Sequence, residues 1–217
     1  MMIQNNNNKL NSYFLTGLVD ASKKRISIVV FGTNLTSTVA LKFTRKQLEM
    51  VQLAPYQYSV VIGLLLSDGW LIIASRSTNA RLGLKQSLAH YEYVWFVFNI
   101  LSHYCSSSPR LKTGIRAGNR YYALEFFTRS MPCMTELHYL FYTNGVKIIP
   151  NNIFELLTPV ALAHMIMGDG SVQRSGLIIC TNSYSIEDVV RLMNVLMIRY
   201  RLECTIRLQK QNKEILD

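Results

Sequence analysis

Val60-Val61-Ile62-Gly63-Leu64-Leu65-Leu66-Ser67-Asp68-Gly69 and Ala161-Leu162-Ala163-His164-Met165-Ile166-Met167-Gly168-Asp169-Gly170 are two apolar runs with the same ending: a small residue, an aspartate and a glycine. Asp68 and Asp169 are 101 positions apart. Each run reads as a short helix, with its last glycine expected to stop it in the left-handed conformation. A carboxylate at that end opposes the helix dipole, at a cost of about 0.3–1 kcal/mol. Stability alone does not select this twice, so the pair points to a bound cation.

Working outward, Gly63 and Ser67 give the first helix (57–67) a smooth face, and Ala161, Ala163 and Gly168 give the second a similar one. The two are expected to pack together with Asp68 and Asp169 at the end of the contact. His164 reads as a packed or interface histidine. After Asp68 the pattern runs strand (70–74), turn, strand (80–86), helix (92–104), then strand (110–116), turn, strand (120–127) and helix (135–142). Arg81 and Lys85 oppose Leu82 and Leu84, and Arg110, Lys112 and Arg116 oppose Leu111 and Ile115, so a cationic face backs a core face. After Asp169 the order restarts with a hairpin (171–180), a helix (185–200) capped by Ser185, and a strand from Glu203 to Gln209. The chain thus divides into a lead-in (1–52), a first repeat (53–150) and a second (151–217).

Composition fits this plan. The chain of 217 residues is 49% hydrophobic and 17% charged, and its 23 Lys and Arg against 13 Asp and Glu give a net charge of +10. A positive excess on a sparsely charged chain favours a polyanionic partner, nucleic acid before membrane. No apolar run reaches the 18 or more residues that a membrane span takes. Cys105, Cys133, Cys180 and Cys204 form no C-x-x-C pair and are expected to be reduced and buried.

Two carboxylates about 4 Å apart repel by about 4 kcal/mol at an effective dielectric near 20. A divalent cation relieves this, and carboxylate oxygens with few further ligands suit Mg²⁺, which completes its shell with water and phosphate. Such a site hydrolyses phosphodiesters. Lys147, in Asn144-Gly145-Val146-Lys147-Ile148-Ile149-Pro150 on the approach to the second helix, is the candidate for balancing charge in the transition state.

These residues resemble the LAGLIDADG homing endonucleases of the single-chain, two-motif type encoded in fungal mitochondrial introns. Phe127-Thr128-Arg129-Ser130, Lys147-Ile148-Ile149-Pro150-Asn151-Asn152, Leu156-Leu157-Thr158-Pro159 and Ser183-Tyr184-Ser185 extend the likeness over residues 53–209. The resemblance implies an α+β fold in which a pseudo-twofold αββαββα unit is used twice. Asp68 and Asp169 would be metal ligands for Mg²⁺, and Lys147 the active-site lysine. It also implies a monomer that cuts both strands of a long asymmetric DNA target in the mitochondrion. Arg81, Lys85, Gln86, Arg110, Lys112 and Arg116 are the DNA-contact candidates of the first sheet, and Arg174, Asn182, Arg207 and Gln209 those of the second.

Three departures from the family pattern stand out. Gly168 replaces an acidic residue common before the catalytic one, and is expected to be tolerated. Tyr13-Phe14-Leu15-Thr16-Gly17-Leu18-Val19-Asp20 looks like a degenerate motif too close to Asp68 for a whole repeat to lie between. Lys147 follows Asp68 by 79 positions, and the same offset from Asp169 runs past Asp217, so the second repeat is expected to be incomplete. Besides the nuclease, two readings remain open: an RNA maturase for the host intron, and an inactive remnant.

Overall fold

The computed structural model describes the backbone of β1 (Thr16–Asp20) and β2 (Arg25–Val29), and residues 35–174 and 176–207. These form an α+β fold built around two adjacent helices, α2 (Pro55–Leu66) and α6 (Pro159–Asp169). Both begin with proline at the first turn, where its missing N–H leaves nothing unpaired. Thr158 also caps α6, its side chain accepting from the Ala161 N–H. From Val60 to Leu66 α2 is buried on all sides, so its lack of amphipathicity reflects a central position.

The two helices approach where side chains are smallest. A Cβ on Gly63 would lie 2.4 Å from the Ala161 carbonyl oxygen and 2.6 Å from the His164 Cβ. A Cβ on Gly168 would lie 2.4 Å from Ser67 Oγ. The expected contact therefore holds at Gly63, Ser67, Ala161 and Gly168. Ala163 does not take part: it is exposed, and the phase of the helix brings in buried His164 instead. Gly168 is accommodated closely, because a side chain there would meet Ser67 at the end of α2 unless the helices shifted.

The glycines after the aspartates also differ from expectation. Neither Gly69 nor Gly170 has a positive φ. Their role is close approach: a Cβ would lie 2.8 Å from the Leu64 carbonyl oxygen at Gly69, and 2.4 Å from that of Ile166 at Gly170.

Downstream of α2, β3 (Trp70–Ile73), β4 (Ala80–Ser87), β5 (Arg110–Arg116) and β6 (Asn119–Phe127) form one antiparallel sheet in the order β3-β4-β6-β5. Helices α3 (Tyr91–Leu101) and α4 (Pro132–Phe141) cover the face of Leu82, Leu84, Leu124 and Phe126, with Phe98 edge-on to Phe126 at 5.6 Å. Leu111 and Ile115 share that parity but are exposed, because they lie on the edge strand β5, beside the strands β4 and β6 on which α3 packs.

The connection to the second half contains β7 (Tyr142–Thr143) and β8 (Val146–Lys147), a tight hairpin turned by Asn144 and Gly145, both at positive φ. The Asn-Gly pair is its sequence signature. A short helix, α5 (Ile153–Leu156), leads into α6, and then β9 (Gly170–Gln173) and β10 (Gly176–Ile179) pair antiparallel. The long α7 (Ile186–Tyr200) follows, with Ser185 Oγ accepting from the Asp188 N–H as expected. The order α2-β3-β4-α3 thus recurs as α6-β9-β10-α7. Residues 203–207 carry no strand, and Gln209 lies outside the described residues.

Residues 35–54 pack on the first half. Arg129 donates to Thr38 Oγ1 and to the Thr38 and Leu41 carbonyls, and its guanidinium lies 4.3 Å from the Phe43 ring centre. The short helix α1 (Arg45–Met50) follows this strap, and buried Ala54 bonds through its N–H to the Tyr104 hydroxyl. The degenerate motif near the start differs from the other two: residues 16–20 form a strand paired with β2, not a helix, while 13–15 lie outside the described residues. Cys105 and Cys133 are buried as expected, whereas Cys180 is exposed and Cys204 partly so, where α7 and the β9–β10 hairpin leave an open groove.

Candidate active site

The packed ends of α2 and α6 bring Asp68 and Asp169 into one electrostatic field. Asp68 Oδ2 lies 3.2 Å from where a Cβ on Gly168 would sit, against the residue preceding Asp169. Burial raises the pKa of both carboxyls, and the Asp68 charge adds to the rise at Asp169, which reaches about 6. Two neighbouring carboxyls with raised proton affinity, one of them raised further by the other's charge, form an arrangement that a cation relieves.

Lys147 is brought to the same place by the β7–β8 hairpin. Its Nζ donates to the Ser67 and Gly69 carbonyls, each at 2.8 Å, so the ammonium braces both sides of Asp68. Burial lowers its pKa to about 8, against the pull of Asp169 and Asp68. A cation at the C-terminal end of α2 also offsets the dipole that the aspartate opposes.

Gln86 takes a different place from the one expected. Its register puts it on the α2 side of the sheet with Leu82 and Leu84, and its Nε2 donates to Asp68 Oδ2, lowering the Asp68 pKa in opposition to burial. Its alternation with Lys85 carried that information. Tyr184, not singled out for a role by sequence reasoning, donates its hydroxyl toward the Leu65 and Leu66 carbonyls at 3.2 and 3.3 Å. It crosses from the second half to the end of α2, a contact between residues 119 positions apart that no local pattern reports.

The remaining first-sheet candidates share the face away from α3 and α4. Arg110, Lys112 and Arg116 project from β5, Lys112 pairing with Glu125 at 3.2 Å. Lys85 lies 5.1 Å from the Tyr121 ring centre and, with Gln86, Arg116, Tyr121 and Tyr122, lines one groove. Arg81 stacks on Phe127 at 4.2 Å, and its Nε is buried without a hydrogen-bond partner, so it is partly committed to packing. Trp70 and Phe127 meet edge to face over Gly83, where any Cβ would strike both rings. Tyr121 and Trp70 were not among the sequence candidates; Tyr121 has the parity of Arg116 across the β5–β6 hairpin. In the second half, Arg174 is exposed at the β9–β10 turn, Asn182 is exposed after β10, and Arg207 is exposed at the end of the described residues.

Two carboxylates, without a cluster of three or more His, Cys, Asp or Glu among the described residues, fit a hard cation that keeps water and phosphate in its shell. The donor set does not suit a structural zinc. No helix among the described residues is long and apolar enough to cross a membrane.

Comparison with known proteins agrees with this architecture. The cytochrome b mRNA maturase bI2 of Debaryomyces hansenii is 31% identical over 150 residues, covering 67% of this chain and 57% of that protein. The chain thus spans little more than half the length of that relative. The DNA endonuclease I-ChuI of Chlamydomonas applanata is 25% identical over 170 residues, covering 72% of this chain and 78% of that one. The structure of the homing endonuclease I-WcaI bound to its DNA recognition sequence superposes with a TM-score of 0.69 at 24% identity, covering 74% of each chain, which supports the fold. Residues 58–217 match the LAGLIDADG DNA endonuclease family, and with both aspartates inside that span the chain belongs to it.

Proposed function

We propose that this chain is a site-specific double-strand DNA endonuclease of intron homing, with Asp68 and Asp169 holding Mg²⁺ at the helix ends. The observation that carries this is the meeting of two carboxyls with raised pKa, that of Asp169 raised in part by the Asp68 charge, beside the partly buried Lys147. When bound, Mg²⁺ supplies Lewis-acid stabilisation of the scissile phosphate and an acidified water. Asp68 is oriented for its share by Gln86, and Asp169 is carried by the rigid end of α6. Lys147, protonated below about pH 8, adds positive charge where the phosphorane develops negative charge. Arg110, Lys112, Arg116, Lys85 and Tyr121 form the surface on which the duplex would rest, guanidinium groups reading base edges and lysines holding phosphates.

One chain carries both aspartates, so a monomer suffices. Similarity to a cytochrome b mRNA maturase supports a mitochondrial setting. It also favours a second reading, in which the chain assists splicing of the intron RNA. One assay separates them: a plasmid carrying the intronless insertion site, with and without Mg²⁺, for the native chain and Asp68→Asn. Cleavage that needs both Mg²⁺ and Asp68 supports the nuclease. Splicing assistance that survives Asp68→Asn, without cleavage, supports the maturase, and absence of both activities identifies a remnant.

A further inference from the structure

The helix pair is held by a contact that the proposed chemistry does not use. His164 lies on α6 against Gly63 and is only 2% exposed. Its Nδ1 is 3.0 Å from the Tyr93 hydroxyl of α3, which also reaches the His164 carbonyl at 3.5 Å. Phe96, one turn of α3 away, stacks on the imidazole with the ring planes 10° apart and the centres 6.1 Å apart. Burial lowers the imidazole pKa to about 4, so the ring is neutral at ordinary pH and can serve as one half of a neutral hydrogen bond. Burial and the Asp68 charge both raise the Tyr93 phenol, so the hydroxyl sits within the field of the site.

Gly63 lets α2 and α6 touch but offers no side chain to set how α6 is rotated about its axis. A small rotation would preserve the contact at Gly63 while swinging Asp169, on the same rigid helix, away from Asp68. The Tyr93–His164 bond comes from α3, in the first half of the molecule, and opposes that rotation. We propose that Tyr93 and His164 are positioning residues that fix the separation of Asp68 and Asp169, and with it the affinity of the pair for a divalent cation. This rests on the metal-binding reading above.

The test is Mn²⁺ binding to the DNA-free protein, followed by loss of the free-ion electron paramagnetic resonance signal, with thermal unfolding of the metal-free variants as the check on folding. Tyr93→Phe removes one oxygen, and His164→Phe keeps an aromatic ring without the bond. Each is expected to weaken Mn²⁺ binding about fivefold, the size of one ordinary hydrogen bond. The double variant should be no weaker than either single one, and His164→Asn, which keeps a polar atom at the Nδ1 position, should stay within about twofold of the native affinity. If His164→Phe does not fold, Tyr93→Phe carries the test. Native affinity in Tyr93→Phe, or losses that multiply in a folded double variant, overturns the brace. Absence of Mn²⁺ uptake by the native protein, or uptake unchanged by Asp169→Asn, overturns the metal reading as well.

Discussion

The ends of α2 and α6 carry the same aspartate of a repeated motif, Asp68 two residues past α2 and Asp169 as the last residue of α6, and they are held differently. Around α2, Lys147 bonds the Ser67 and Gly69 carbonyls, Tyr184 those of Leu65 and Leu66, Ser67 Oγ that of Gly63, and Gln86 the carboxylate itself. The end of α6 is closed by backbone groups, the Gly170 N–H on the Ile166 carbonyl and the Cys180 N–H on the Asp169 carbonyl. One of the side chains that fasten α2 comes from outside its own repeat, Tyr184 from the second half, and Lys147 comes from the hairpin that ends the first. Repetition of a unit therefore yields a site that is two-fold in its acids but lopsided in their support.

The helices that follow show the same contrast. Val94, Val97, Phe98 and Leu101 of α3 are buried under β4 and β6. Their counterparts in spacing, Val189, Leu192, Met193 and Leu196 of α7, line the groove beside β10. Among the described residues, β9 and β10 form a two-stranded sheet where the first half has four strands.

If the lopsidedness is one of support only, both acids remain essential. Asp68→Asn and Asp169→Asn should each reduce cleavage of the insertion site about a thousandfold, the rate equivalent of several kcal/mol of lost charge stabilisation. A large loss for one and a small loss for the other would break the equivalence of the two helix ends. Next in size is Lys147→Met, expected to slow cleavage about a hundredfold. Because the ammonium also fastens α2, Lys147→Arg should recover the thermal midpoint of the native protein more fully than its rate. Equal recovery of both would make the lysine purely structural.

Gly168→Asp restores an acidic residue before Asp169 and should destabilise the protein by about 2 kcal/mol in urea unfolding, since its Cβ would meet Ser67. A neutral effect would mean that the helix ends are looser than described. The smallest effect is in pH. The folded pKa of Asp169, about 6, is above the ordinary carboxylate value, so its contribution is complete at low pH and lost as pH rises through about 6. The metal-free protein should therefore lose thermal stability between about pH 4 and 6 from this group. Asp169→Asn should flatten that slope, and millimolar Mg²⁺ should reverse it.

Much of this arrangement was legible in the residues. The helix pair and the placing of both aspartates at its end followed from a repeated motif, the candidacy of Lys147 from its place on the approach to the second helix and from the family resemblance, and the cationic face from strict alternation in β4 and β5. What escaped were contacts that depend on the meeting of distant segments. Nothing local to Tyr184 or Tyr93 announces a partner more than seventy positions away. The roles of Gly69 and Gly170 differ from expectation because the motif suggests a left-handed stop, whereas the chain passes close against the last turn of its own helix. Leu111 and Ile115 alternate as core residues do, yet they lie on the edge strand β5 while α3 packs on β4 and β6. Gln86 needed only its parity to be taken seriously, since it shares a face with Leu84 rather than Lys85.

The central claim is that Asp68 and Asp169 share a cation at the meeting of two helix ends. Anomalous diffraction from crystals of the protein–DNA complex grown with Mn²⁺ tests it most directly. The account expects density within about 2 Å of a carboxylate oxygen of each aspartate, the bond length of a small hard divalent ion. Ordered Mn²⁺ bound elsewhere, with the two carboxylates empty and turned apart, would contradict it.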